Sequence, residues 1–224
     1  MPVTIAFVSQ KGGVGKSTLA RSVGTVAAAG GVRVLLADLD PQQATALRWE
    51  QTRVQHTQAN PLLTARGFGS AGQALAAGSD YELLVIDGPA RASRGTLEIA
   101  ERAHLVVVPS GASIDDLHPT VLLLHEFAQH GIDKGWVVVA LSRILDEREE
   151  ARARSYIKQA GYESLPGCIH ERAAYREALD RGLALTETAN KGLKSQADAM
   201  IENVLKRVMT QVKSMSRRSQ EKRA

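Results

Sequence analysis

Cysteine is nearly absent from this chain: Cys168 is the only one in 224 residues. No internal disulfide can form, which fits a reducing cytoplasm, and the thiol is expected to be a small buried apolar residue. Aromatic residues make up only 4% of the chain. No apolar run approaches the ~20 residues that a membrane-spanning helix needs, so no stable membrane insertion is expected. No basic stretch precedes the first apolar segment, so no secretory leader is expected either. His125 and His130 have no cysteine or carboxylate at ligand spacing and read as surface or capping residues. What is present is ordinary for a globular protein, 44% hydrophobic and 23% charged, in a chain short enough for one α/β domain.

Net positive charge is missing from most of the chain and concentrated at its end. From 206 onward lie Lys206, Arg207, Lys213, Arg217, Arg218, Lys222 and Arg223 against Glu221 alone, a net +6. The whole chain is formally +4, so the remainder is mildly acidic at −2. Such a basic end suits an anionic partner, and it equally suits a solvated tail. The expected organisation is one domain over 1–214 followed by a basic, flexible tail over 215–224.

Apolar runs alternate with helical patterns along most of the length, which predicts βαβ units and a largely parallel sheet. The first run, Val3-Thr4-Ile5-Ala6-Phe7-Val8, leads into Gln10-Lys11-Gly12-Gly13-Val14-Gly15-Lys16-Ser17-Thr18 and then a small-residue helix over 16–29 that Gly30-Gly31 stops. Strand, glycine-dense turn and helix in this order predict a phosphate loop. Glycines let the backbone approach an anion closely, with inward N–H groups and the positive end of the helix facing it. Lys16 is placed to reach β- and γ-phosphates, and Ser17 to offer its hydroxyl to Mg²⁺. The second strand, 32–37, ends at Asp38-Leu39-Asp40-Pro41-Gln42, two carboxylates at the edge where ligands bind in open α/β sheets. Asp40 is also placed to cap the helix that follows Pro41. A later apolar strand ends in Asp87-Gly88-Pro89, the Walker B arrangement that holds Mg²⁺ through water.

Lys11, Gly12, Gly13, Gly15, Lys16, Ser17 and Thr18 match the deviant Walker A box of the ParA/MinD family, and 38–42 match its D-x-D-P-Q box. The chain resembles that family, above all its small ParA-type (ParF-like) partition ATPases, which also carry a tryptophan soon after the second box, as Trp49 does here. The resemblance implies a P-loop NTPase fold, a mostly parallel twisted sheet with helices on both faces. It implies that Lys11 reaches across a dimer interface to the partner's nucleotide, that Asp40 positions the attacking water, and that Asp38 supports the Mg²⁺ hydration shell. Residues 12–18, Val14 included, would bind the nucleotide with Lys11. Residues 88–95, with Arg91 and Arg94, would be a switch that senses the γ-phosphate. Ser142-Arg143 falls where the family places an Asn-Arg-like pair beside adenine. Residues 168–178 resemble the family stretch near the base, except that His170 stands where proline is usual. The lone cysteine argues against relatives that hold an iron–sulfur cluster between subunits with two cysteines each.

Further elements are expected as a helix at 43–56, a short strand at 62–65, strands at 81–87, 104–109, 136–141 and 165–169, and helices near 114–130 and 147–159. A final helix at 192–214 carries Ile201, Val204, Leu205, Val208, Met209 and Val212 on one stripe. Lys194, Lys206, Arg207 and Lys213 lie off it and, with Arg217 and Arg218, are the candidate DNA contacts. By resemblance the expected function is a ParA-type ATPase using ATP and Mg²⁺, weak alone and stimulated by a ParB-type centromere-binding protein. It would form an ATP-dependent homodimer, bind nonspecific DNA and segregate a plasmid or chromosome from a cytoplasmic, nucleoid-associated location. With only two residues before the first strand, no extra helix-turn-helix domain of the larger ParA proteins is expected. The alternatives are a MinD-like or cargo-positioning ATPase, or a P-loop metabolic ligase, whose loop would lack the Lys11-type signature.

Overall fold

The computed structural model describes residues 2–40, 45–56, 59–89 and 94–221. The elements alternate as expected: β1 (Val3–Phe7), α1 (Lys16–Ala29), β2 (Val34–Asp38), α2 (Thr45–Gln55), β3 (Leu63–Gly67), α3 (Ala71–Ala77), β4 (Leu83–Asp87) and α4 (Arg94–Arg102). There follow β5 (Leu105–Ser110), α5 (Ile114–Gln129), β6 (Val137–Ile144), α6 (Glu147–Gln159), β7 (Ile169–His170), α7 (Ala173–Asp180) and α8 (Lys191–Glu221). The sheet has seven strands in the order β3-β2-β4-β1-β5-β6-β7. Every strand pairing is parallel.

Parallel strands with helices on both faces must be apolar at every position. All five residues of β2 and of β4 are buried. Side chains alternate between faces, and the core divides accordingly. Ile5, Phe7, Leu36, Val85 and Val107 pack with α1 and α8, while Ala6, Leu35, Ile86, Val106 and Val108 pack with α3, α4, α5 and α6. β1 lies centrally between β4 and β5, so the loop after it opens at the carboxyl edge of the sheet beside the ends of β2 and β4.

Four elements differ from the sequence expectation. The strand expected over 165–169 is divided: Leu165 donates to the Val139 carbonyl at 2.8 Å, and β7 starts only at Ile169. Between them Pro166 has no N–H to offer and Gly167 adopts φ +75°. Helix α3, inside a Gly/Ala-rich stretch with no clear period, is started by Ser70, whose side chain accepts from the Gln73 N–H. Helix α4 was not anticipated, because its first residues were read as part of the switch at 88–95. Helix α8 continues to Glu221, into the segment expected as a tail.

Helix α8 docks through Ala197, Met200, Ile201, Val204 and Val208, each no more than 2% exposed. Met209, expected on this stripe, is 50% exposed, and Leu205 and Val212 are only partly buried. The buried line starts earlier along the helix than the apolar residue types alone suggest. Ile201→Ala should therefore lower the unfolding free energy by about 2–5 kcal/mol, whereas Lys206→Ala should stay within about 0.5 kcal/mol. Urea denaturation of the two variants measures both.

Candidate nucleotide-binding site

Three strand ends and one loop build the site. Asp38 and Asp87 are direct neighbours across β2 and β4, and Asp87 also pairs in register with Phe7 at the end of β1. The loop after β1 curls over them. Gly13 and Gly15 adopt φ +77° and +99°, backbone that other residues rarely accept. Gly15 is doubly constrained, since a Cβ there would lie 2.7 Å from Ser142 Oγ. The Gly15 carbonyl then accepts from the Leu19 N–H at 3.0 Å, and α1 begins.

A pocket of about 570 Å³ opens over the loop, a volume within the range of small-molecule sites. Gly12, Gly13, Gly15, Lys16, Ser17 and Thr18 line one end. Asp40, Thr45, Asp87 and Gly88 flank it, and Ile169, Tyr175, Leu179 and Leu185 supply apolar surface at the other end. Glycine backbone and charge thus meet apolar surface within one pocket. Arg143 joins the wall from a bulge between β6 and β7, with its backbone in the left-handed region at φ 60°. Its guanidinium donates to the Gly13 carbonyl at 3.0 Å and to Glu171 Oε2 at 2.8 Å. Its guanidinium thus rests on the glycine loop, whereas the sequence reading expected it beside the base.

The two loop lysines part company. Lys16 is 7% exposed and its Nζ donates to the Lys11 carbonyl at 3.2 Å. Burial lowers its pKa, against the opposing pull of Asp87 and Asp40. The Lys11 ammonium turns outward to the start of α5, 2.7 Å from Asp116 Oδ1 and 3.0 Å from the Asp115 carbonyl. That carbonyl is available because Pro119, four residues on, has no N–H to close the helical bond. Neither Lys11 nor Val14 lines the pocket, and Val14 is buried at 4% exposure.

The carboxylates divide in a similar way. Asp38 is 1% exposed and accepts from the Asp40 N–H and the Ala46 N–H, each at 2.9 Å. Asp38 thus takes up an N–H in the first described turn of α2, and the residues that Asp40 was expected to cap lie outside the described residues. Asp87 Oδ1 is buried and has no hydrogen-bond partner among the described residues. Burial pushes the Asp87 carboxyl up to about 7; Asp38 adds to this, while Ser17, Arg21 and Lys16 oppose it. An orphaned carboxylate oxygen beside a serine hydroxyl fits a hard, oxygen-seeking cation such as Mg²⁺.

Residues 41–44, carrying Pro41 and Gln42, lie outside the described residues, as do Arg91 and the side chains of Arg94 and Arg218. Of the candidate DNA contacts, Lys194 donates to the Thr186 carbonyl at 2.6 Å. Lys206 pairs with Glu202 at 2.7 Å, and Arg207 with Glu163 at 2.9 Å. Lys213 and Arg217 are exposed on α8. Three residues that sequence reasoning missed also belong to the site. Arg21 lies 5.6 Å over the Trp49 ring and raises no sequence signal beyond a charge in a small-residue helix. Thr45 Oγ1 reaches Ser17 Oγ at 3.4 Å. Glu171 holds both Arg143 and Arg176 at 2.8 and 2.7 Å, and its place beside the base-proximal stretch was the available clue.

Residues 5–222 match the family model described as the CobQ/CobB/MinD/ParA nucleotide binding domain. The chromosome partitioning protein ParA of Caulobacter vibrioides is 60% identical over 38 residues, which is 17% of this chain and 14% of that relative. The chain thus spans a small part of the curated relative it matches. Among solved structures, Cyanthece apo McdA has a TM-score of 0.71 at 18% identity, covering 91% of this chain and 100% of its own. The MinD cell division protein of Aquifex aeolicus has a TM-score of 0.71 at 17% identity, covering 91% and 97%. At these identities the likeness is one of fold.

The raised Asp87 carboxyl makes a prediction of definite sign. Its native pKa exceeds its unfolded one, so the native state binds the extra proton, and stability from this group falls as pH rises from about 4 to 7. Asp87→Asn should stabilise the ligand-free protein at pH 8 by roughly 1–3 kcal/mol, a gain that shrinks toward pH 5. Thermal melts of both proteins across that range check it.

Proposed function

The chain belongs to the CobQ/CobB/MinD/ParA nucleotide-binding family, and from that premise we propose that it is an ATPase whose ATP-bound form is a sandwich dimer. The dimer binds DNA without sequence preference and drives partition of a plasmid or chromosome with a ParB-type centromere-binding protein. The observation that carries this reading is the opposite placement of the two loop lysines. Lys16 bends inward over the loop, while the Lys11 ammonium is held outside the pocket by Asp116 and the Asp115 carbonyl. A single copy makes no use of Lys11 for a nucleotide in its own pocket; a second copy facing it can.

In this reading the loop N–H groups and Lys16 hold the β- and γ-phosphates, and the apolar far wall takes the adenine. Ser17 and Asp87 would hold Mg²⁺, with Asp38 fixing the loop from beneath, and the chemistry such an ion would supply is neutralisation of charge on the phosphate oxygens. Asp40 lines the pocket and orients the attacking water. Exposed Lys213 and Arg217 supply charge for DNA phosphates. Lys194, Lys206 and Arg207 can contribute despite their local partners, since surface ion pairs are worth only about 0–1 kcal/mol. Counterion release then makes DNA affinity fall steeply with salt.

Sedimentation of Asp40→Ala with and without ATP·Mg²⁺, in the presence of nonspecific duplex DNA, tests the proposal. The expected outcome is an ATP-dependent dimer that co-sediments with DNA at low salt and releases it as salt rises. Lys11→Ala should still bind ATP but remain a monomer. An ATP-dependent dimer that ignores DNA overturns the partition reading in favour of a MinD-like or cargo-positioning ATPase, which anionic liposome flotation would separate. A monomer under all conditions overturns the role given to Lys11.

A further inference from the structure

Where α6 meets β7, three donors of different chemistry converge. Glu150 comes from α6, Cys168 directly precedes β7 and His170 ends it; their ligand atoms all lie within 4.8 Å of one another. Residues two apart on extended chain share a face, so the Cys-x-His spacing itself aims both side chains the same way. Cys168 Sγ lies 3.1 Å from Glu150 Oε2 and 3.6 Å from His170 Nε2. In a tetrahedral site with a metal–sulfur bond of ~2.3 Å and a metal–nitrogen bond of ~2.1 Å, sulfur and nitrogen stand ~3.6 Å apart. The described arrangement already has nearly that edge.

We propose that Glu150, Cys168 and His170 form a binding site for a borderline-soft divalent metal ion of the zinc class, with water in the fourth position. Thiolate plus imidazole selects such an ion over Mg²⁺ or Ca²⁺, which prefer oxygen alone.

The surrounding groups hold the ligands in place. Arg154 donates twice to Glu150 Oε1, at 2.8 and 2.6 Å, which leaves Oε2 turned to the thiol. The same guanidinium grips the carbonyls of Leu165 and Gly167, at 2.8 and 2.7 Å, and so fixes the turn that delivers Cys168. From α8, the Gln196 amide meets His170 Nδ1 at 2.7 Å, with Nε2 of the amide donating. Loading reverses that bond: the amide turns over, its oxygen accepts the proton now on Nδ1, and the Nε2 lone pair of the imidazole faces the ion. The thiol proton leaves to solvent. Thiolate and carboxylate then balance the dication, and Arg154 stays on the outer carboxylate oxygen. The ion would clamp α6 to β7, and His170 also borders the 570 Å³ pocket. The clamp therefore sets the wall that carries Glu171 and Arg143.

The test is a Co²⁺ titration of the full, untagged, chelator-stripped chain without nucleotide, followed by absorption. One equivalent should give a thiolate-to-cobalt charge-transfer band in the near ultraviolet and the strong visible bands of four-coordinate cobalt, both removed by Zn²⁺. An oxygen-only site at Ser17 and Asp87 gives neither. Cys168→Ser should lose the charge-transfer band, and His170→Ala and Glu150→Gln should weaken binding by about 10–100-fold. Circular dichroism of Cys168→Ser checks that its loss is not one of fold, and His170→Ala, altered at a half-buried position, tests the site independently. Zn²⁺ should raise the melting temperature of the native chain but not of Cys168→Ser. Weak octahedral bands, or charge transfer of undiminished affinity in both His170→Ala and Glu150→Gln, would overturn the site.

Discussion

Two carboxylates buried side by side at the carboxyl edge of a parallel sheet are the constraint on which the site depends. Asp38 and Asp87 are at most 2% exposed and adjacent across β2 and β4. Like charges in a low-dielectric interior resist joint ionisation, and the structure answers each differently. Backbone N–H groups of Asp40 and Ala46 engage Asp38, whereas Asp87 keeps an oxygen without a partner among the described residues. Lys16, buried, and Arg21, half-buried, stand nearby as counter-charges, and desolvation lowers the pKa of each. Buried like charges of this kind are costly unless opposite charge lies close by.

The loop above the carboxylates is governed by sterics on one side and by a missing hydrogen bond on the other. Gly15 must be glycine, both for its backbone angle and because Ser142 leaves no room for a Cβ. Lys11 is held by the consequence of a proline: Pro119 leaves the Asp115 carbonyl without its helical donor, and the ammonium takes that place beside Asp116. This ion pair is partly exposed, at 43% and 22% for the two side chains, so it holds Lys11 in place without locking it.

The far wall of the pocket is tied to the rest of the fold by polar contacts. Glu171 binds Arg143 and Arg176, Arg154 pins the turn at 165–167, and Gln196 reaches His170 from α8. Helix α8, the longest element, thus touches the site at its amino-terminal end while its basic half runs on to Glu221. Nucleotide pocket, β7 junction and basic helix form one connected body.

The sequence by itself determined most of the order of strands and helices, the glycine loop, the two acidic strand ends and the middle of the docking stripe of α8. These follow from local rules: apolar runs for buried parallel strands, glycines where φ must be positive, helical period for a buried face. It did not determine which member of each like pair does what. Lys11 and Lys16 are the same residue type in one loop, and their opposite directions come from Pro119, 108 positions beyond Lys11 in the chain. Asp38 and Asp40 are the same residue type in one short turn, and only the return of Ala46 over β2 gives Asp38 its second N–H partner. Cys168 and His170 looked like an apolar filler and a departure from a family pattern. Their partner Glu150 lies on another element, and contacts between residues distant in sequence are decided by tertiary packing, which no local pattern encodes.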